Sequence, residues 1–212
     1  MNLGNRTTLI VLAIVVFVIF VCGASIASTY NGMVRSANNV RMVWADVESA
    51  YQRRLDLVNQ TLPSVVAGAQ QELAVFKTLR DQAAALSASF KRDELGQPIV
   101  PQGADAQNIQ QQIVAFDRAW INALAYMADN PEIQSTQLYS DFMIQVEGSE
   151  NRINVARRDY NAAVNDYRNT TQTFPNNLAA GIFGFDPNQF AYFQAQPGAE
   201  QAPEVSFPTP VP

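Results

Sequence analysis

A long apolar stretch opens the chain, and helical periodicity follows it. Leu9 to Ala24 (LIVLAIVVFVIFVCGA) is continuously apolar or small, and no charged residue occurs from Thr7 to Val34. A helix of about 20 apolar residues crosses a hydrocarbon core of about 30 Å. The pattern therefore predicts a transmembrane anchor within residues 1–29, with residues 9–29 in contact with membrane lipid.

The same segment also has the features of a cleaved signal peptide. Arg6 would form the basic region, and Ser25-Ile-Ala27 is an acceptable small-x-small cleavage site. We favour the uncleaved anchor because helix-compatible residues continue past that site without a break. The orientation stays open, since Arg6 lies on one side of the segment while Arg35 and Arg41 lie on the other.

Beyond the anchor, apolar or small residues recur in steps of three and four. The first such run extends from Trp44 to Phe90, which is typical of a helix with one buried stripe. Pro63 lies inside this run and removes the hydrogen bond to the carbonyl of Asn59. Because the stripe keeps its phase through Pro63, we expect one kinked, continuous helix. A reversal of the chain at Pro63 is the alternative.

Two further apolar stripes follow a loop. Residues 91–105 (KRDELGQPIVPQGAD) contain two glycines and two prolines, which mark the loop. A second helix is predicted from Ile109 to Met127, with Trp120 on its buried face, and a third from about Ser135 to Thr173.

These elements predict an all-α fold. An N-terminal single transmembrane helix continues into an antiparallel three- or four-helix bundle with long helices, which we place at residues 30–185. The remainder, residues 186–212, is rich in proline. It is predicted to be a flexible tail.

Composition removes most kinds of functional site. The chain has no histidine and one cysteine, Cys22, which excludes imidazole and multi-thiolate metal sites, Cys-x-x-Cys redox chemistry and triads with a histidine base. The net charge is −5, from 19 acidic and 14 basic residues, and no basic patch matches a run of phosphates. We therefore predict no catalytic activity, no cofactor, no metal and no nucleic acid partner, and we identify no small-molecule substrate.

Two groups of motifs resemble the LemA family. The opening group is Tyr30-Asn-Gly-Met-Val34, Val43-Trp44-Ala-Asp46-Val and Gln52-Arg-Arg-Leu-Asp-Leu-Val58. The closing group is Glu150-Asn-Arg-Ile153, Ala156-Arg157 with Tyr160-Asn161, and Phe174-Pro-Asn-Asn-Leu178 with Gly181-Ile-Phe-Gly-Phe185. Their order and spacing are kept from Tyr30 to Phe185, although the middle of the chain, Val75 to Ser135, carries little of the match.

The resemblance implies a bacterial protein with a single membrane anchor and a helical domain. It implies no assigned enzymatic activity and no established molecular role, and it places the chain in the bacterial cell (inner) membrane. Members of the family usually have a proline directly after the Asp-Leu-Ile/Val step. This chain has Asn59 there, and its proline, Pro63, comes one turn later.

Two charge clusters are candidate interaction surfaces. One contains Arg53 and Arg54 on the first helix, and the other contains Arg157 and Arg158 on the third. These arginines could bind a protein partner or anionic lipid headgroups. We favour the alternative, in which they form ion pairs on a solvated face, each contributing about 0.2 to 1 kcal/mol to stability.

The segment after the third helix is the other candidate surface. Its apolar side chains are Phe174, Leu178, Ile182, Phe183 and Phe185. A cluster of this size is not expected to stay in water, so it should cap the bundle, dock on a protein or insert into lipid. With a kinked first helix the cluster lies far from the anchor, whereas a reversal at Pro63 brings it back to the lipid surface.

These features favour a membrane-anchored helical scaffold or adaptor. It would act through contacts with a protein partner or through homo-oligomerisation at a bacterial membrane. The alternative is a peripheral lipid-surface module, whose apolar C-terminal segment inserts into a bilayer while the region of Arg53 and Arg54 meets lipid headgroups.

Overall fold

The computed structural model describes residues 3–67 and 74–194, with side chains from Ile10 onward. The described residues are mainly helical, and an isolated antiparallel bridge joins Arg92 to Pro98. The predicted all-α fold is thus confirmed. The helices are α1 (Leu3–Asp56), a π-helical turn (Leu57–Thr61), α2 (Leu62–Val65), α3 (Ala74–Ser89), α4 (Gly103–Ala128), α5 (Pro131–Gln134), α6 (Gln137–Gln172) and α7 (Asn176–Phe183).

Helix α1 is 54 residues long and contains both the apolar segment and the start of the first stripe. The helical stretch Ile10–Val65 is the one in the described chain that is long and apolar enough to cross a membrane, and its most apolar window is wholly exposed. Among the side chains described from Ile10 onward, the first buried one on α1 is that of Met33. Helix α1 therefore changes near Met33 from an exposed apolar rod into a core element of a bundle.

The helix continues through Pro63 as far as Val65, but the expected continuation of one helix to Phe90 is wrong. A π-helical turn precedes Pro63, with the Leu62 N–H donating to the Leu57 carbonyl, and Pro63 occupies the first turn of α2, where a missing N–H costs little. The ring of Phe90, just beyond α3, lies 6.3 Å from the rings of both Trp44 and Tyr51. A continuous helix would place Phe90 about 40 Å beyond Pro63, so the chain reverses between α2 and α3.

Four helices form an antiparallel bundle: α1, α3, α4 and α6. The start of α3 meets the end of α4, where the rings of Phe76 and Tyr126 are 5.6 Å apart. Helix α6 returns toward the anchor, and the ring of Tyr160 reaches that of Trp44 at 5.5 Å. Trp44 and Trp120 are both fully buried, so the apolar stripes meet in one core as predicted.

Helix α7 lies against α1 at the point where α1 enters the bundle. Ala179 and Ala180 pack on Met33, and the rings of Tyr30 and Phe183 are 5.0 Å apart. The favoured placement of Phe183 and Phe185 far from the anchor is therefore wrong. The chain reversal after Pro63 returns them to the anchor.

Residues 186–194, here called the strap, pack along the bundle although the sequence assigned them to the tail. The side-chain amide of Asn161 accepts from the Phe193 N–H at 2.9 Å and donates to the Phe193 carbonyl at 3.1 Å. Phe190 is fully buried, with its ring 4.9 Å from that of Tyr167. The bundle thus extends past the predicted boundary at Phe185, and the rest of the predicted tail, residues 195–212, lies outside the described residues.

Candidate functional site

A network of two arginines and two carboxylates crosses the interior of the bundle. Arg54 Nη1 lies 2.9 Å from Asp117 Oδ1, and Arg54 Nη2 lies 2.6 Å from Glu150 Oε2. Arg157 Nη2 lies 2.7 Å from Asp117 Oδ2. Asp117 thereby joins two guanidinium groups, and the four formal charges cancel.

Aromatic side chains enclose this network. The Trp120 indole N–H donates to Glu150 Oε1 at 3.2 Å, and the Arg54 guanidinium lies 5.6 Å from the Trp120 ring centroid. Arg157 donates to the Tyr51 hydroxyl. Burial raises the pKa of Tyr51, and the nearby Asp117 carboxylate raises it further. Tyr51 therefore stays a neutral phenol that accepts from Arg157.

The network has a structural consequence because its members come from three helices. Arg54 and Tyr51 lie on α1, Asp117 lies on α4, and Glu150 and Arg157 lie on α6. Buried ion pairs contribute little net stability, but breaking one leaves an uncompensated charge in the interior. The pairing therefore favours one register of the three helices over slipped alternatives.

The four arginines proposed as contact residues separate into two kinds. The side chain of Arg54 is 2% exposed and that of Arg157 is 24% exposed, and both form ion pairs within the network. Arg53 and Arg158 are exposed. Arg54 is therefore removed from the candidate interaction surface, and it is part of the core instead of a solvated face. It also lies about 36 Å along α1 from Tyr30, too far to meet lipid headgroups at the anchor.

Asp117 is the central residue that sequence reasoning missed. It falls in the phase of the α4 stripe, between the buried Ile113 and Trp120. Arg54 similarly falls next to Leu55 in the α1 stripe, between the buried Tyr51 and Val58. A charged residue in the phase of an apolar stripe was thus the available signal, and two such residues of opposite sign predict a buried pair.

An open groove of about 830 Å³ runs along the bundle between α1 and α6, next to the loop that follows α3. Exposed or partly exposed charges of both signs line its rim. They are Asp46, Arg53, Asp56, Arg92, Arg152 and Asp159. Glu48 lies buried at one side and pairs with Arg92. Burial raises the pKa of Glu48, while the Arg92 guanidinium works in the opposite direction.

The described residues contain no group of three or more histidine, cysteine, aspartate or glutamate side chains placed to hold a metal ion. The acidic residues of the groove alternate with arginines and do not come together around a possible metal position. This arrangement is suited to contacts with a partner of mixed charge.

A second candidate surface is formed by the exposed face of α7 and the turn before it. We define the terminal apolar patch as Phe174, Leu178, Ile182 and Phe183, which are between 43% and 78% exposed. Gly184 ends the helix in a left-handed conformation with φ of 74°, and the Phe185 N–H then donates to the Ala180 carbonyl at 2.9 Å. This turn places the Phe185 ring 5.8 Å from that of Tyr30. Phe185 is therefore packed against the bundle, while the patch faces outward.

Comparison with known proteins identifies a family and two relatives of this chain. The model of the LemA family matches residues 43–207. The chain is 26% identical over 209 residues to "Magnetosome protein MamQ 2" of Paramagnetospirillum magneticum, and equally to "Magnetosome protein MamQ 1" of the same organism. Each alignment covers 93% of this chain and 75% of the relative.

The family match includes most of the bundle, the buried network and the terminal apolar patch. Together with the exposed apolar start of α1, it indicates a membrane-associated protein. The chain belongs to the LemA family.

Proposed function

We propose that the protein is a non-catalytic scaffold or adaptor, anchored by a single pass in a bacterial cell membrane. The observation that carries this proposal is the continuity of α1, which is unbroken from Leu3 to Asp56. One helix thus forms both the apolar anchor and a core element of the bundle. Because no flexible linker separates the two, a partner bound to the bundle is held at a set distance and direction from the membrane.

The groove between α1 and α6 is the proposed contact surface for a protein partner. Its rim carries Arg53 and Asp56 from α1 and Arg152 and Asp159 from α6. Alternating charges of this kind select a complementary surface and exclude others, while they add little affinity by themselves. The groove is open along its length, which suits a helix or extended segment of a protein better than an enclosed small molecule.

The relatives support a role of this type. Their names refer to a cellular structure, the magnetosome, and to no reaction. A scaffold reading also agrees with the buried network, in which the charges hold helices together instead of facing a substrate.

Photo-crosslinking of the full-length chain in its own membrane tests the proposal. A crosslinker at Val155, which lines the groove, should yield a discrete product with a partner or with a second copy. A crosslinker at Leu138, which is exposed on the same helix but outside the groove, is the control. Identical products from both positions, or none from Val155, would contradict the proposal.

Charge reversal provides a second arm of the same experiment. Arg53→Glu together with Arg152→Glu should abolish the product from Val155. Arg158→Glu changes an exposed arginine of α6 that does not line the groove, and it should leave the product intact. A product equally sensitive to both changes would indicate a nonspecific electrostatic contact.

A further inference from the structure

The terminal apolar patch lies level with the membrane end of the bundle. The segment from Ile10 to Thr29 contains 20 residues, which span about 30 Å as a helix and so match a hydrocarbon core. Tyr30 follows directly, at the position where aromatic side chains meet the membrane interface. The Tyr30 ring contacts Phe183 and Phe185, so α7 lies beside the membrane exit of α1.

The distribution of charged residues also places α7 at the depth where α1 leaves the membrane. Residues 7–34 of the first helix are uncharged, and so are residues 169–185, which include the end of α6 and all of α7. The two uncharged segments meet through Met33 and Ala180, and Thr29 lies within hydrogen-bonding distance of Asn176, at 3.4 Å. The exposed apolar surface of α1 thus continues onto α7 without a charged residue between them.

One face of α7 packs against α1, and the opposite face is exposed. Ala179 and Ala180 are buried against α1, whereas Leu178 and Ile182, one helical turn apart, point outward. Phe174, in the turn before α7, is also exposed and adds to this apolar surface. An amphipathic helix that presents such a face at the level of an interface lies in the plane of the membrane, with its apolar side chains among the acyl chains.

We propose that the terminal apolar patch inserts into the leaflet from which α1 emerges. There the patch contacts the acyl chains of phospholipids just below the headgroups. The argument is the continuity of the patch with the lipid-facing surface of α1, and it does not rest on the scaffold role. The chain then contacts the bilayer at two points, the transmembrane segment and α7, and the second contact restricts tilting of the bundle relative to the membrane.

The chain offers a matched pair of positions for a test. Ile182 in the patch is 78% exposed, and Ile144 near the opposite end of the bundle on α6 is 67% exposed. In a full-length Cys22→Ala background, Ile182→Cys and Ile144→Cys would each carry an environment-sensitive fluorophore. Both proteins would be placed in nanodiscs of phosphatidylcholine and phosphatidylglycerol.

The label at residue 182 should emit at shorter wavelength than the label at 144. It should be quenched by phospholipid brominated on its acyl chains, and its quenching constant with aqueous iodide should be severalfold lower. Adding Leu178→Ser should weaken the quenching by brominated lipid, while Leu138→Ser, an exposed leucine of α6, should not change it.

Two results would overturn the proposal. Equal access of iodide to both labels would show that the patch faces water. Protection from iodide without quenching by brominated lipid, lost when each disc holds one copy, would show that a second copy covers the patch. Circular dichroism of each labelled protein, unchanged from the parent chain, establishes that the comparison concerns folded material.

Discussion

The ring of Phe193 stacks on the indole of Trp44, with centroids 6.0 Å apart and planes inclined by 14°. Tyr160 contacts both rings, at 5.5 Å from Trp44 and 5.3 Å from Phe193. The guanidinium of Arg157 lies 5.6 Å from the Phe193 ring centroid. The strap therefore covers the core at Trp44 and shields one side of the buried network from water.

Phe193→Ala should lower the free energy of unfolding by about 2 kcal/mol, less than a fully buried phenylalanine would lose, because the ring is only partly buried. Urea denaturation of the full chain in mild detergent measures the change, with tryptophan fluorescence as the signal. Ile144→Ala removes an exposed apolar side chain and should change stability by less than about 0.5 kcal/mol. Equal effects of the two substitutions would show that the strap does not contribute to the core.

The apolar stripes could be predicted from the sequence, but the direction of the chain could not. Steps of three and four describe each helix of a bundle equally well, so a stripe that keeps its phase past Pro63 is compatible with a kink or with two separate helices. The contact of Phe90 with Trp44 decides between them, and it depends on a tertiary reversal that leaves no mark in the periodicity.

The direction of the chain after Pro63 also determines where the candidate surfaces lie. Because the chain reverses between α2 and α3, Phe183 lies beside Tyr30 and not at the far end of the bundle. The interior position of Arg54 was also missed, because an arginine beside an apolar stripe usually faces solvent, and the one sequence signal against this was the matching Asp117 in the α4 stripe. The helices and their buried faces could thus be predicted from local sequence patterns. The positions of the candidate surfaces could not, because they depend on which helices are neighbours.

Asp117→Asn should destabilise the bundle by about 3 kcal/mol at neutral pH. The substitution keeps the side-chain volume but removes the carboxylate that lies between Arg54 and Arg157. The buried Arg54 is then left with Glu150, and the partly buried Arg157 is left with the neutral Tyr51 hydroxyl. Equilibrium urea denaturation measures the loss. Asp159→Asn removes an exposed carboxylate on α6 and should cost less than about 0.5 kcal/mol. A similar cost for both would contradict the structural role of the network.

Stability should fall as the pH rises above about 10, the ordinary pKa of tyrosine. Burial raises the pKa values of Tyr51, Tyr160 and Tyr167 in the folded chain. Above pH 10 the unfolded chain therefore loses these protons first, and Tyr51 and Tyr160, whose pKa values are raised most, each lower the free energy of unfolding by up to about 1.4 kcal/mol per pH unit. The contribution is fully present below pH 10 and is lost progressively as the pH rises toward the raised values.

Tyr160→Phe isolates one part of this pH dependence. The ring contacts with Trp44 and Phe193 remain, but the titrating hydroxyl is gone, so the slope above pH 10 should decrease by about 1.4 kcal/mol per pH unit. Urea denaturation at a series of alkaline pH values gives the slopes of the two proteins. An unchanged slope would mean that Tyr160 titrates as freely in the folded chain as in the unfolded one.

The two glycines of the GIFGF segment should respond in opposite directions to alanine. Gly181 lies inside α7, and an added Cβ meets nothing within 4 Å, so Gly181→Ala should stabilise the helix by about 0.5 to 1 kcal/mol through lower entropy of the unfolded segment. Gly184 has φ of 74°, a left-handed conformation that costs a residue with Cβ about 1 kcal/mol.

Amide hydrogen exchange of residues 176–183, followed by mass spectrometry, should therefore become about 2- to 5-fold slower in Gly181→Ala and faster in Gly184→Ala. Gly184→Asn should lie between the parent chain and Gly184→Ala, because asparagine tolerates this conformation better than alanine. Changes of the same sign at both positions would mean that α7 does not end at Gly184 in the folded chain.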